Sequence, residues 1–259
     1  MQTDKSRYGK QILLKEVGED GQKKLSGSKV LVAGAGGLGC PVLAYLASAG
    51  VGTLGILDFD ILEKSNLHRQ IFYKESQIGM SKAEAMSDNL RELNSELNYN
   101  VHDCSLNLMN GFDIIRDYDI IVDATDNFKT RYLINDICVV LNKPFVIGAV
   151  NKFEAQVAVL NYNDGPTYRC IFPELPSSKS VMNCEESGVL GSLCGIAGCI
   201  QATEVLKIIL GAGKILSGEI LIINSLNMEF RKMKINRNNE SVKDAYRLKE
   251  KSLTLNIEH

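Results

Sequence analysis

The chain is poor in the residues that build metal clusters and disulfide scaffolds. It has three histidines, at 68, 102 and 259, and seven cysteines, at 40, 104, 138, 170, 184, 194 and 199, with no C-x-x-C pair. An odd, irregularly spaced set in a chain of 259 residues reads as reduced thiols in a cytoplasmic protein, several of them in the core. No structural zinc is expected. Excess charge is missing too: the formal net charge is −2 and the pI is near 6.0, so nothing in the balance points to nucleic acid or an anionic membrane as partner. The first seven residues lack the apolar core of an export signal. The longest apolar stretch, 189–210, is interrupted by Gln201, Thr203, Glu204 and Lys207, which suits a buried helix rather than a membrane span.

What is present is an alternation of short aliphatic runs with helical patterns. Strands are expected at 29–33, 53–57, 99–103, 119–123 and 145–149, and helices at 38–49, 81–94 and 129–141. Such an order gives an α/β fold, a mostly parallel sheet with helices on both faces and strands buried on both sides. Beyond about 150 the pattern changes. A strand is expected at 155–160, the long helix at 189–210, and a closing antiparallel hairpin at 219–223 and 228–235. Three of the five prolines, Pro166, Pro173 and Pro176, fall within 163–188, which reads as a long mobile loop. Residues 236–259 read as a loosely held polar tail.

Gly34-Ala35-Gly36-Gly37-Leu38-Gly39 follows the first strand directly. Glycines there allow a tight turn and close backbone approach to a phosphate, with the following helix N-terminus aimed at it. Asp58 ends the second strand, where a carboxylate takes ribose hydroxyls. A redox dinucleotide enzyme would show the same features. The residues that follow differ: Ser65, Asn66, Arg69, Gln70 and Lys82 supply polar groups and cations. A reaction that expels pyrophosphate needs cations where charge collects on the leaving group. Asp123-Ala124-Thr125-Asp126-Asn127 ends another strand, and two acids there could hold a magnesium ion bridging phosphates. Asp126 is the leading metal or catalytic candidate, and Asn127 could instead cap the next helix.

Arg7-Tyr8-x-x-Gln11, the glycine turn, Ser65-Asn66-Leu67-His68-Arg69-Gln70, Lys82, Asp123-x-Thr125-Asp126-Asn127 and Asn183-Cys184-x-x-x-Gly188-Val189 occur in that order. Taken together they resemble the ThiF/MoeB/HesA adenylyltransferases, bacterial relatives of ubiquitin-activating enzymes. The resemblance implies one adenylation domain over 1–235, with a nucleotide part at about 28–150 and a carrier-binding part at about 151–235. It implies ATP and Mg²⁺ as ligands and a homodimer. It implies adenylation of the C-terminal glycine of a small ubiquitin-fold carrier ending in Gly-Gly, for sulfur transfer of the thiamine or molybdopterin type. By position, Gly34, Gly36, Gly37, Gly39, Asp58, Ser65, Asn66, Arg69, Gln70, Lys82, Asp126 and Asn127 would contact the nucleotide. Arg69 and Lys82 would stabilise phosphate charge, and Asp126 would hold magnesium.

The chain also departs from that family. Members usually carry two zinc-binding C-x-x-C pairs, and here Thr167 stands where the first cysteine would be and no cysteine follows Arg231. Lys10 replaces the second arginine of the opening motif, which in the family reaches the partner subunit's phosphates. A lysine keeps the charge and loses the fork. Cys184, beside a proline-rich loop and ahead of a helix, is the candidate for a covalent carrier adduct; Cys40, Cys194 and Cys199 read as core. Three alternatives stay open: adenylation of a peptide or other carboxylate in natural-product synthesis, a dehydrogenase, and an inactive scaffold for a ubiquitin-fold partner.

Overall fold

The computed structural model describes residues 4–176 and 188–246. Its centre is one eight-stranded sheet in the order β3-β2-β1-β4-β5-β6-β7-β8. The first five strands are β1 (Lys29–Ala33), β2 (Thr53–Leu57), β3 (Asn98–His102), β4 (Ile120–Asp123) and β5 (Phe145–Asn151), and they pair in parallel. The chain then reverses through a two-residue turn, Lys152-Phe153, with Lys152 at φ 54°, and adds β6 (Glu154–Leu160), β7 (Glu219–Asn224) and β8 (Glu229–Lys234) antiparallel. The fold class expected from the alternation is what the chain adopts.

Helices cover both faces. On one side lie α2 (Gly18–Gly27), α3 (Gly39–Ala49), α4 (Lys82–Leu93) and α8 (Gly191–Leu210), over a core that includes Val30, Val32, Leu46, Ile56 and Val157. On the other lie α5 (Gly111–Arg116), α6 (Phe128–Val140) and α7 (Tyr168–Ile171), over Leu31, Ile121, Ile137 and Phe145. Residues 30–33 are all buried, and their odd and even members feed the two cores in turn, because side chains alternate along a strand. A helix of α8's length and apolarity could by itself cross a membrane. Here it packs across α3, β5 and β6. It approaches α3 so closely at Gly198 that a Cβ there would stand 2.6 Å from the Leu38 carbonyl.

Four expectations need correcting. β3 is the sheet's edge and carries Asn98, Asn100 and His102, so only Tyr99 of the strand is buried rather than both faces. Two N-terminal helices, α1 (Lys5–Ile12) and α2, have no counterpart among the expected helices. Cys40 and Cys194 are core residues, but Cys199 is half-buried beside Tyr45. The expected loop 163–188 contains α7, which is tied to α6 by a two-pronged ion pair from Arg169 to Asp136 at 2.7 and 2.8 Å and by the Tyr168 amide donating to Asn135. Of that loop, 177–187 lies outside the described residues.

The tail also begins with structure. The Arg237 guanidinium donates to the Gly165 carbonyl at 2.6 Å, and the Asn238 amide donates to Cys170 Sγ at 3.2 Å. From 239 to 246 the chain is helical, with Val242 and Ala245 buried against Val139 of α6. Two apolar residues three apart gave this short helix one face to bury, a pattern too brief to stand out in a polar sequence.

Candidate active site

Strand order reverses direction at β1, whose neighbours are β2 and β4, and ligands in open α/β sheets sit beyond the carboxyl ends of strands at such a point. The glycine turn lies there. Gly34 has φ 95°, and a Cβ on it would meet the Ala124 carbonyl at 2.7 Å. A Cβ on Gly39 would stand 1.8 Å from the Gly34 carbonyl. The turn therefore closes only with glycine at both positions. α3 starts at once, with Leu38 at its N-cap and no side-chain cap; the Cys40 amide donates to the Gly36 carbonyl at 2.9 Å and Pro41 has no N–H, so an anion here meets the backbone of the glycine turn rather than the helix's own first turn.

Asp58 stands beside the turn. Its carboxylate accepts the Ala35 amide at 2.7 Å and the Asp60 amide at 2.9 Å. Burial raises its pKa, and those hydrogen bonds pull against the rise. Lys82 opens α4 and is buried, although a cation at a helix N-terminus opposes the helix dipole. Its ammonium pairs with Asp60 at 2.7 Å. The Tyr73 hydroxyl lies 2.8 Å from the Ala35 carbonyl and 3.1 Å from the Lys82 carbonyl, joining the turn to the start of α4.

The 65–70 segment folds as a 3-10 turn over Lys64–Asn66 and then bends back over the glycines. Asn66 Oδ1 accepts the Glu63 amide at 3.0 Å, so this expected nucleotide contact also caps its own turn. The Ser65 hydroxyl is turned to Glu63. Gln70 lies over Gly36, its Nε2 3.5 Å from where a Cβ would sit, and its Oε1 is buried without a partner. An unpaired acceptor there suits a donor on a ligand, a hydroxyl or an amino group, and not a phosphate oxygen. Arg69 Nη1 donates to the Ser65 carbonyl at 3.1 Å and touches His68 Nε2 at 2.8 Å. Its stem passes Gly37, and Gly37 also faces Cys194 of α8, so the long helix abuts the turn.

The segment 123–127 closes the cleft. Only one of its two acids faces out. Asp123 is fully buried, with Oδ1 accepting the Thr125 amide at 3.0 Å and the Thr125 hydroxyl at 2.7 Å, which corrects the expectation that both acids could hold a metal. Asp126 is exposed, and among the described residues no partner hydrogen-bonds its carboxylate. Asn127 caps α6, accepting the Thr130 amide at 2.9 Å. Among the described residues no three His, Cys, Asp or Glu converge on a point. A single free carboxylate fits a magnesium ion whose other ligands are phosphate oxygens and waters.

The structure thus sets Asp58, Arg69, Gln70 and the backbone of 124–125 against the glycine turn of Gly34, Gly36, Gly37 and Gly39, joins Lys82 to it through Tyr73, and carries Ser65, Asn66, Asp126 and Asn127 on the same segments. It does not bring Lys10 there. Lys10 is exposed on α1, and α1 packs at the opposite end of the sheet, where Tyr8 takes a 2.9 Å hydrogen bond from Asn94 and Gln11 donates to the Ala49 carbonyl at 3.1 Å. α3 alone, with 11 residues, holds that end about 16 Å from the glycine turn. Cys184 lies outside the described residues. Asp60 and Tyr73 escaped the sequence reading. The Asp58-x-Asp60 spacing ahead of a lysine was the available signal for the first, and a lone tyrosine gave none.

The ThiF family model matches residues 8–244. Among similar proteins, "Adenylyltransferase and sulfurtransferase MOCS3" of Culex quinquefasciatus is 49% identical over 230 residues, covering 89% of this chain and 52% of that protein. MOCS3 of Xenopus laevis is 49% identical over 229 residues, covering 88% and 51%. The chain therefore spans about half the length of these relatives. Solved structures of similar fold include E. coli MccB with ATP (TM-score 0.74, 23% identity, 84% of this chain and 67% of that one) and PaaA (TM-score 0.76, 23% identity, 92% and 75%).

Proposed function

This chain belongs to the ThiF family, and from that premise we propose that it is an ATP-dependent adenylyltransferase acting on the C-terminal glycine carboxylate of a small ubiquitin-fold sulfur carrier. The observation that carries the reading is Lys82, a buried cation beside the glycine turn, in the company of Arg69. The carrier carboxylate attacks the α-phosphorus, a C(O)–O–P bond forms, and the bond to the β-phosphate oxygen breaks with its electron pair leaving on pyrophosphate. No base is needed, because the carboxylate is ionised at neutral pH.

Each residue then has a role. The backbone amides of the glycine turn, at the head of α3, receive phosphate oxygens, and Asp58 takes the ribose hydroxyls. Lys82 releases Asp60 to meet the phosphates, and Arg69 swings from the Ser65 carbonyl to present its fork. Asp126 would hold the magnesium ion, whose charge offsets that gathering on the leaving pyrophosphate. Lys10 serves the cleft of a second copy, since its own chain keeps it at the far end of the sheet; the working unit is a homodimer. Cys184 is the proposed site of a thiol-linked carrier adduct. The exposed edge strand β8, with Phe230 next to the turn residues Leu226 and Met228, is the surface offered to the carrier. The free thiols suit the reducing cytoplasm, where we place the protein.

The relatives' name couples adenylation to sulfur transfer, which favours a sulfur carrier of the thiamine or molybdopterin type. The second reading is adenylation of a peptide carboxylate, favoured by the fold shared with MccB, solved with MccA. ATP–pyrophosphate exchange run with each small protein ending in Gly-Gly from the same genome, and with short peptides, decides between them. Exchange that requires a Gly-Gly protein supports the first reading. Exchange with peptides alone supports the second, and no exchange with either refutes both.

A further inference from the structure

Among the described residues none hydrogen-bonds the Asp126 carboxylate, so its position is inherited from Thr125. Thr125 is held on three sides. Its amide and hydroxyl donate to Asp123 Oδ1, at 3.0 and 2.7 Å, and its carbonyl accepts Arg131 Nη2 at 2.6 Å. Arg131 is itself buried and reaches from α6 to more than this strap. The same Nη2 donates to the Gly148 carbonyl of β5 at 3.1 Å, and the guanidinium also meets the Tyr168 hydroxyl of α7. Asp123 is pinned in turn: the side-chain amide of Gln201, from α8, donates to its carbonyl at 3.0 Å. Burial disfavours a charge on the Asp123 carboxyl, and Arg131 is the leading influence that favours it. Strap, central sheet and two helices thus meet on one planar cation.

We propose that Arg131 is a positioning residue for Asp126, acting through the Thr125 backbone to hold the exposed carboxylate where a nucleotide-bound divalent cation can use it. A metal with a single protein ligand gets its protein-side geometry from one carboxylate, so slack in the supporting residues passes straight to the metal. Arginine suits the task because one nitrogen of its rigid planar group, Nη2, reaches both carbonyls while the charge stays beside Asp123; a lysine would keep the charge and lose the rigid plane that fixes that nitrogen. This inference rests on the nucleotide reading of the cleft and extends it to a residue outside the cleft wall.

The test is equilibrium binding of ATP with Mn²⁺ and with EDTA, by calorimetry and by Mn²⁺ electron paramagnetic resonance, without carrier. In the wild type Mn²⁺ should tighten ATP binding. Arg131→Gln should cut that tightening by about tenfold while leaving the EDTA affinity unchanged, and Arg131→Lys should fall between. Adding Asp126→Ala to Arg131→Gln should cost nothing further. Thr125→Val removes one hydrogen bond without disturbing volume and should act in the same direction, with Thr125→Ser restoring it; this pair carries the test if Arg131→Gln does not fold. Equal loss with and without Mn²⁺ would make Arg131 merely structural and overturn the proposal, as would full Mn²⁺ tightening in both Arg131→Gln and Thr125→Val. A wild type that binds no nucleotide refutes the adenylation reading as well, which separates the two failures.

Discussion

The Lys82 ammonium stands 2.7 Å from an Asp60 carboxylate oxygen, with the lysine side chain 7% exposed and the aspartate side chain 50% exposed. A desolvated cation shares its charge with a partner that water can reach. A triphosphate arriving from the same side meets a cation already stripped of solvent, and Asp60 can turn outward at little cost. Removing the cation should therefore hurt the reaction far more than the fold. Lys82→Ala should lower pyrophosphate exchange by ~10²–10³ with a small change in thermal unfolding, both measured on the same preparation.

The glycines should not tolerate substitution equally. Gly39→Ala would place a Cβ 1.8 Å from the Gly34 carbonyl, so the turn cannot close and ATP binding should vanish in a calorimetric titration. Gly36→Ala meets only Gln70 Nε2 at 3.5 Å, an ordinary contact, and should bind with modest loss. Gly37→Ala meets Cys194 Sγ at 3.1 Å, and Cys194→Ala in the same chain should recover part of its loss.

Burial raises the Asp58 pKa, so its carboxyl protonates at a higher pH than an ordinary aspartate. A protonated Asp58 accepts ribose hydroxyls poorly. ATP affinity should fall on acidification, with a midpoint above the usual aspartate value of about 3.9. The same titration on Asp58→Asn should be weak throughout and lack that acid limb.

Arg169 and Asp136 make a two-pronged ion pair, and the Asp136 side chain is 3% exposed. Arg169→Ala leaves that carboxylate with the Asn135 amide alone. The cost should be about 3 kcal/mol, since an orphaned buried charge is what such a deletion creates. Urea unfolding measures it, and hydrogen exchange should show the loss centred on α6 and α7.

Lys10 offers a mixing experiment. Lys10→Ala and Lys82→Ala should each be inactive or nearly so. After subunit exchange, half of the dimers pair an intact Lys82 with an intact Lys10 in one of two sites, and activity should return to about a quarter of wild type. Wild-type turnover by Lys10→Ala alone would end that role.

Much of the frame could be read directly from the residue order. Four of the five parallel strands are short aliphatic runs, and the glycine turn is marked by spacing that few other backbones require. β3 is not such a run: Asn98, Asn100 and His102 alternate with Tyr99 and Val101, and its place at the edge is decided by which strands pair. The tail helix was missed because two buried residues, Val242 and Ala245, make no period. α1 carries the Arg7-Tyr8-x-x-Gln11 motif but no helix was expected there, and nothing in Lys10 says which end of the sheet it will occupy.

Local chemistry is written in the chain: a glycine turn, a carboxylate at the end of β2, cations after it and an acidic strap follow from short-range spacing, since backbone sterics and helix ends act over a few residues. Direction and burial are not. That Asp123 turns inward while Asp126 faces out, that Lys82 pairs with Asp60, and that Arg131 holds Thr125 from beneath follow from packing between elements far apart in sequence. Burial and hydrogen bonding are set by which surfaces meet, and only the closed sheet with its two helical layers decides that.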